Sequence, residues 1–184
     1  MFLKTTVYIS MRYDYNPTSD YEKFGLRVYN TLVANSEQTF FVGGMVRDLL
    51  LGGVVSDVDI TTGLLPEQVL ELLATQRITA SDKHKLFGAI IATQKNCIVE
   101  ITTLRLDTYD GSRYPKVIFT QDPKEDSRRR DFTINALYAD MDGVVYDYFK
   151  GVEDLKAGVV RFVGDAHQRI QEEGFFVEDD KMAE

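Results

Sequence analysis

Two aspartates separated by one residue, Asp57 and Asp59, form the pattern in this sequence that most clearly indicates a chemical function. They lie in the segment Ser56–Thr62, whose alternation of polar and apolar residues predicts a β-strand. Alternate side chains of a strand share a face, so the two carboxylates would lie roughly 6–7 Å apart. Oxygen ligands of this kind suit Mg²⁺, and two such ions can activate a hydroxyl and stabilise a leaving pyrophosphate.

A third carboxylate, Glu100, lies in the middle of the apolar run Ile98–Thr102. A charged side chain in such a strand needs a partner or a function. If this strand lies beside the Asp57–Asp59 strand, all three carboxylates converge. The alternative is a solvated strand edge, with Glu100 paired to a lysine.

A glycine pair precedes the aspartates by about one helix. Gly43 and Gly44 follow the short apolar segment Phe40–Val42 and begin a predicted helix, so their backbone N–H groups can approach a phosphate closely. Arg47 is placed to add a charge-assisted contact to that phosphate. The alternative is that Asp48 is simply a buried partner of Arg47.

Three consecutive arginines, Arg128 to Arg130, stand out in a chain with a net charge of −8. The pattern predicts a helix over about residues 129–137, with its apolar residues on the core and with Arg130 and Asp131 facing a cleft. Arginine can hold a phosphate, and aspartate can accept a hydrogen bond from a ribose hydroxyl. The alternative is a solvated arginine run.

Periodicity predicts the elements that position these residues. They are helices over residues 20–35 (with Asp20 as N-cap), 45–51, 67–75 (after Pro66), 152–156 and 166–173, and strands at 40–42, 56–62, 86–93, 97–104 (after a turn at 94–96) and 144–149. Residues 106–126 are predicted to be mostly loop, with a possible strand at 117–120. Residues 1–19 are predicted to be a loose N-terminal arm, with a possible strand at Thr6–Ile9.

Composition excludes several classes of protein. No apolar run approaches the roughly 20 residues needed to cross a bilayer. Cys97 is the only cysteine, so no internal disulfide is possible, and a reducing, cytoplasmic location fits. The acidic balance argues against a large RNA-binding face but is compatible with a small basic cleft.

Taken together, these residues resemble the head domain of class II tRNA nucleotidyltransferases and bacterial poly(A) polymerases, in the DNA polymerase β superfamily. The resemblance runs from about Phe41 to Gln171 and preserves order and spacing. Its motifs are Gly43–Asp48, Leu50–Gly52, Asp57–Asp59, Glu100–Arg105, Tyr109–Gly111 with Arg113 and Pro115, Arg129–Asn135, Gly151–Leu155, and Gly164-Asp165 with Arg169-Ile170.

The resemblance implies an α/β (α+β) nucleotidyltransferase fold, with a small, twisted, mixed or antiparallel sheet flanked by helices. It also implies a head domain at 20–150, the start of a helical neck at 151–173 and an acidic tail at 174–184. The implied activity is Mg²⁺-dependent addition of nucleotides from CTP and ATP to the 3′ end of tRNA.

The resemblance assigns roles to single residues. Asp57 and Asp59 would ligate the metals, and Glu100 would activate the RNA 3′-hydroxyl. The implied triphosphate site is Gly43, Gly44 and Arg47, and the implied sugar and phosphate contacts are Arg130, Asp131 and Asn135. A flexible loop over residues 107–115, with Asp107, Tyr109, Asp110, Gly111 and Arg113, would help the switch from CTP to ATP, which speaks against an enzyme that adds only C.

After residue 173 the family continues into a neck that reads the incoming base and into domains that bind tRNA, whereas this sequence ends at Glu184. The sequence is therefore expected to be a fragment, a frameshifted product or a stand-alone head. Two alternatives to CCA addition stay open: a poly(A) polymerase or A-adding enzyme of the same group, and a module that binds nucleotide or RNA ends without catalysis.

Overall fold

A computed structural model describes residues 8–13, 15–108 and 116–166 of the chain. Its helices are α1 (Asp20–Val33), α2 (Gly44–Leu50), α3 (Pro66–Thr75), α4 (Pro123–Ser127) and α5 (Gly151–Ala157). Its strands are β1 (Tyr8–Arg12), β2 (Thr39–Val42), β3 (Val58–Thr62), β4 (Thr79–Ser81), β5 (Ala89–Gln94), β6 (Cys97–Thr103), β7 (Arg105–Thr108), β8 (Lys116–Phe119), β9 (Leu137–Ala139) and β10 (Val144–Asp147). Two 3₁₀ turns cover Lys85–Phe87 and Thr133–Asn135.

The described strands form one large mixed sheet and one small hairpin. The large sheet has the order β1-β10-β9-β2-β3-β6-β5-β4, and β7 pairs with β8 separately. Neighbouring strands of the large sheet are antiparallel except β3 and β6, which are parallel. This mixed sheet flanked by helices confirms the predicted fold class. The single parallel pair places the middle of β6 beside the middle of β3.

Helices α1 and α3 cover one face of this sheet. In α1 the apolar residues Phe24, Val28 and Leu32 recur at helical spacing and are all buried. They pack in one core cluster with Val58 and Ile60 of β3. Because side chains alternate along a strand, Asp59, between these two residues, points to the opposite face of the sheet.

The opposite face carries a smaller apolar cluster formed by Phe40, Val42, Leu104 and Tyr138. Phe40 and Tyr138 make an edge-to-face aromatic contact, with ring centroids 6.0 Å apart. None of these four residues belongs to β3 or β6, so the cluster leaves that face of β3 and β6 available for polar side chains.

One of the two predictions near the N-terminus needs correction. The N-cap of α1 is Ser19 and not Asp20: the Ser19 hydroxyl accepts from the Glu22 N–H, and the Glu22 carboxylate accepts from the Ser19 N–H. This reciprocal capping box satisfies two N–H groups that an Asp20 cap would leave open. The first described strand, Tyr8–Arg12, overlaps the strand predicted at Thr6–Ile9 and continues beyond it to Arg12, while Thr6 and Val7 lie outside the described residues.

The prediction for residues 106–137 is right for one strand and wrong for most of the rest. The strand predicted at 117–120 is confirmed as β8, but the stretch predicted as mostly loop also contains β7 and α4, and the helix predicted over 129–137 does not form. Instead α4 ends before Arg128, a 3₁₀ turn follows, and Leu137 begins β9. The reason is tertiary: β9 pairs with both β2 and β10, and these ladders outweigh the local helical pattern.

Other boundaries move only slightly. Strand β3 begins at Val58, so Asp57 lies just before it, and β5 begins at Ala89 after a 3₁₀ turn. The predicted turn joins β5 to β6. The helix predicted over 166–173 lies almost wholly outside the described residues. Among the described residues, no helix is long and apolar enough to span a membrane.

Candidate active site

Asp59 and Glu100 are direct neighbours on the parallel strands β3 and β6, where their Cα atoms are in register. Side chains in register on adjacent strands share a face, so both carboxylates project from the face opposite α1 and α3. Their adjacency meets the condition under which the sequence predicted that the carboxylates converge. Asp57, just before β3, is exposed, and its carboxylate accepts a hydrogen bond from the Ser56 hydroxyl at 2.9 Å.

The environment of Asp59 disfavours its charge. Burial, and then the negative charge of Glu100, raises the pKa of Asp59 to about 6, and Asp57 adds to this effect. The guanidinium of Arg130 acts in the opposite direction. Two like-charged groups so close form a site that a cation would stabilise.

This donor set fits a magnesium ion by its chemistry. The groups are carboxylate oxygens, which Mg²⁺ prefers, and the raised pKa of Asp59 indicates negative charge that lacks compensation. Within the described ranges, no three His, Cys, Asp or Glu side chains lie close enough together to hold an ion by themselves. Magnesium keeps several waters and is bound through one or two carboxylates together with substrate phosphates, so two protein carboxylates are compatible with such a site.

Tyr21 of α1 fixes the entry to β3, which sequence reasoning missed. Its hydroxyl accepts a hydrogen bond from the Val58 N–H at 2.7 Å, between the two aspartates. One helical turn later, a β-carbon added at Gly25 would lie 2.7 Å from the Val58 side chain, so only glycine permits this close approach. Periodicity placed Tyr21 on the apolar face of α1 and gave no sign of its polar contact.

The glycine pair lies where β2 leads into α2. Gly43 has a φ of 74°, a conformation that favours glycine, and its N–H donates to the Leu137 carbonyl at 3.1 Å. A β-carbon added at Gly44 would lie 3.5 Å from Nη2 of Arg47, and one at Gly43 would lie 3.6 Å from Nη1 of Arg130. Two guanidinium groups therefore face the glycine backbone.

Arg47 is held from two sides. Its Nε donates to Asp48 Oδ1 at 2.9 Å, and its Nη1 donates to Asn135 Oδ1 at 2.8 Å. The alternative raised by the sequence, a pairing with Asp48, thus exists, but the pair is partly exposed and leaves Nη2 directed at Gly44. Asn135 also donates to Asp131 at 3.3 Å, so Arg47, Asn135 and Asp131 form one network.

Arg130 is anchored beneath the site by a buried acid. Asp126 has a fully buried side chain and accepts from Arg129, from Arg130 and from the Tyr138 hydroxyl, at 2.9, 3.5 and 2.5 Å. The Arg130 guanidinium also lies over the Tyr138 ring, 5.2 Å from its centroid. Burial alone would lower the pKa of Arg130, but Tyr138, Asp126 and Asp59 together raise it, so this cation stays charged.

Sequence reasoning missed Asp126, although one signal was available. Asp126 precedes Arg129 and Arg130 by three and four residues, the spacing at which acids and bases meet on a helix. The sequence pattern predicts mostly loop over residues 106–126, and the helical spacing of Asp126 with the two arginines carries no weight in a loop.

The predicted flexible loop is described only at its start. Asp107 lies in β7 and forms an ion pair with Arg105 at 3.0 Å. Strand β8, which pairs with β7, begins at Lys116. The predicted loop residues Tyr109, Asp110, Gly111 and Arg113 lie outside the described residues.

Known protein families, relatives and solved structures resemble this chain in sequence and fold. Residues 39–161 match the family model of the poly(A) polymerase head domain. The chain is 45% identical over 148 residues to a CCA-adding enzyme of Lactobacillus helveticus, covering 79% of this chain and 36% of the relative. It is 42% identical over 140 residues to the mitochondrial CCA tRNA nucleotidyltransferase 1 of Danio rerio, covering 76% of this chain and 32% of the relative. The chain thus spans about a third of the length of these curated relatives.

Solved structures share the fold. The Bacillus stearothermophilus CCA-adding enzyme in complex with CTP aligns with a TM-score of 0.70 and 34% identity, covering 85% of this chain and 37% of that one. The Thermotoga maritima CCA-adding enzyme complexed with tRNA aligns with a TM-score of 0.60 and 26% identity, covering 82% and 34%. Since the family model matches more than half of the chain, the protein belongs to the poly(A) polymerase head domain family.

Proposed function

We propose that this chain supplies the catalytic centre for transferring nucleotides from CTP and ATP to the 3′ end of tRNA, with magnesium as the cofactor. The position of Arg130 carries the proposal. This partly buried cation lies beside the Gly43-Gly44 backbone and also interacts electrostatically with Asp59. We call the Gly43-Gly44 backbone with Arg47 and Arg130 the cradle. Arg130 therefore links this cradle to the carboxylates of Asp59 and Glu100, and transfer from a triphosphate requires both parts.

The cradle binds the triphosphate in this proposal. The N–H groups near Gly44, with the guanidinium groups of Arg47 and Arg130, neutralise the phosphate charge. Asn135 holds Arg47 in place, and Asp131, at the end of that network, accepts from a ribose hydroxyl. Because Arg47 and Arg130 are restrained before substrate arrives, little side-chain freedom is lost on binding.

The carboxylates serve the chemical step. The oxygen of the RNA 3′-hydroxyl attacks the α-phosphorus, the bond from that phosphorus to the bridging oxygen breaks, and pyrophosphate leaves with the bonding electrons. Glu100 accepts the hydroxyl proton. Asp57 and Asp59 would hold magnesium, which supplies charge stabilisation to the attacking and leaving oxygens.

A second candidate is addition of A alone, as in a poly(A) polymerase. The description of the matching family model favours it, whereas the relatives named above are CCA-adding enzymes. The head residues described here discriminate poorly between these activities.

A gel assay with single-nucleotide resolution tests the proposal. The substrates are tRNA transcripts that end before CCA, after C and after CC, each incubated with magnesium and one nucleoside triphosphate at a time. Extension of the RNA with release of pyrophosphate is expected, and ordered addition of C, C and A would support CCA addition. A-tailing irrespective of the RNA end would favour the second candidate, and saturable triphosphate binding without extension would indicate a binding module.

Glu100→Gln should lower turnover about a hundredfold or more while leaving triphosphate affinity within about threefold of the parent. Glutamine keeps the size of the side chain but does not accept a proton at neutral pH. Single-turnover extension and equilibrium nucleotide binding measure the two quantities separately. Equal losses in both would contradict the role of Glu100 as base.

Tyr21→Phe should lower turnover roughly tenfold and the free energy of unfolding by about 1–2 kcal/mol, because the Val58 N–H loses its acceptor. Triphosphate binding should stay unchanged, since the cradle is elsewhere. Tyr15→Phe is the matched control, because the Tyr15 hydroxyl donates at only 3.5 Å to the Glu22 carbonyl. Full turnover in Tyr21→Phe would show that the hydroxyl does not position the aspartates.

A further inference from the structure

We propose that the outer surface of α1 and α3, together with the β5–β6 turn, binds the phosphodiester backbone of RNA. We call this surface the basic groove and define it by Lys23, Arg27, Arg77 and Lys95 and the polar residues between them. It lies on the helix-covered side of the sheet, opposite Asp59 and Glu100. The inference thus adds an RNA contact remote from the carboxylates and goes beyond the proposed catalysis.

The centre of the basic groove is a surface pocket with three cationic residues. Arg27, Arg77 and Lys95 line it with Thr79, Thr93 and Gln94, and no Asp or Glu is among the described residues that line it. Arg27 donates to the Gln76 carbonyl at 2.6 Å, which holds its guanidinium at the pocket edge. Within the described part of the chain, none of the three cations forms an ion pair. Their charge is available to an external anion.

The backbone at two of these cations is unusual. Arg77 and Lys95 have φ values of 55° and 53°, in the left-handed region where glycine or asparagine costs least. Two of the three non-glycine residues with positive φ in the described ranges therefore line this one pocket. Backbone preference alone would favour glycine or asparagine at both positions, so it does not explain arginine and lysine there.

The pocket continues into a polar groove between α1 and α3. Arg27 lines both cavities. The groove is otherwise lined mainly by amide and hydroxyl side chains, with Lys23 at one side; the polar members are Asn30, Thr31, Asn35, Thr75 and Gln76. Here too the described lining includes no carboxylate, in a protein with a net charge of −8.

This combination fits a strand of RNA better than a free phosphate. Cations bind the phosphates of a nucleic acid backbone, while hydroxyl and amide groups add hydrogen bonds to phosphate and sugar. A free phosphate would use the pocket alone and leave the groove without a role. Contacts of this kind are independent of base sequence and weaken as salt rises.

The test compares the double variant Arg77→Asn/Lys95→Asn with Lys150→Asn. Asparagine tolerates the left-handed conformation, so both variants should keep the fold, which a thermal melt checks. Lys150 is the matched control because it has a φ of 63° and lies at the start of α5, outside the groove. The probe is a tRNA transcript without CCA, with its dissociation constant measured across salt concentrations and without nucleotide.

The double variant should bind this RNA about tenfold more weakly near 0.1 M salt, and its salt slope should fall by about 0.7–0.9 per lost phosphate contact. The control should match the parent. Unchanged affinity and slope in the double variant would overturn the proposal, as would failure of the parent to bind RNA. The proposal would also be overturned if inorganic phosphate stabilised the parent and not the double variant while both bound RNA equally. That result would assign the pocket to a free anion. Triphosphate binding is measured separately and tests the catalytic proposal independently of the RNA-binding result.

Discussion

Replacing Asp59 by asparagine should reduce nucleotide transfer by about a thousandfold or more, and it should make the unliganded protein more stable at neutral pH. The first effect follows because the amide removes the negative charge that would hold magnesium. The second follows because burial and Glu100 disfavour the ionised form of Asp59. A residue kept for packing would not produce this combination.

The pH dependence gives the sign of the stability effect. Asp59 has a folded pKa of about 6, above the ordinary value of 3.8, so its contribution to stability is present below 3.8 and is lost as pH rises through about 6. Asparagine resembles the protonated form and keeps that contribution, about 1–2 kcal/mol near neutral pH. Denaturant melts in the presence of a chelator, at several pH values, measure the difference.

Asp57→Asn is the matched control for this experiment. Asp57 is exposed and contributes least to the raised pKa of Asp59, so its replacement should lower transfer with a smaller stabilisation than Asp59→Asn. Normal transfer in Asp59→Asn would contradict the metal assignment. Equal stability of the parent and Asp59→Asn across the whole pH range would show that the fold does not disfavour the ionised carboxylate of Asp59.

Asp126→Ala should destabilise the fold by about 3–5 kcal/mol, because it leaves Arg129 and Arg130 without their buried counter-charge. Arginine charges keep the pKa of the Asp126 carboxyl below its ordinary value despite burial. Its stabilisation is therefore present above the ordinary carboxyl pKa and is lost as pH falls through the lowered one. Asp126 and Asp59 thus have opposite dependences on pH.

Chemical unfolding of Asp126→Ala, with triphosphate binding measured at a temperature where the variant is folded, tests this expectation. Triphosphate binding should weaken as well, because Arg130 loses its anchor. Tyr138→Phe is the milder comparison, since it removes the hydroxyl between Asp126 and Arg130 but keeps both charges. A loss in Asp126→Ala no larger than in Tyr138→Phe would contradict the role of Asp126 as the main counter-charge.

Much of the fold was predictable where a pattern was strong and local. Helices α1 and α3 follow from apolar spacing, Pro66 opens α3, and the β5–β6 hairpin follows from two β-rich runs with a polar turn. The adjacency of β3 and β6 was raised only as the condition under which Glu100 would join the aspartates, and the structure meets that condition. Such signals are contained within a few residues of sequence.

The failures lie where distant partners decide the structure. Leu137 begins a strand because β2 and β10 are on either side of it, which no local window shows. Asp126 and Tyr21 act through contacts with single polar atoms, and neither contact changes the hydrophobic pattern. The roles of Asp57, Asp59, Glu100 and the cradle residues remain predictions that the experiments above decide.

The parallel pairing of β3 and β6 also affects how the site is acquired during folding. The β5–β6 hairpin is local, but Glu100 meets Asp59 only when β6 docks on β3, across α3, β4 and β5. Arg47 and Asn135 are still farther apart, 88 residues along the chain. Because long-range closures cost more entropy than local ones, we expect both contacts to form late in folding. Under the proposed function, a chain that has not completed its fold would therefore not consume nucleotide.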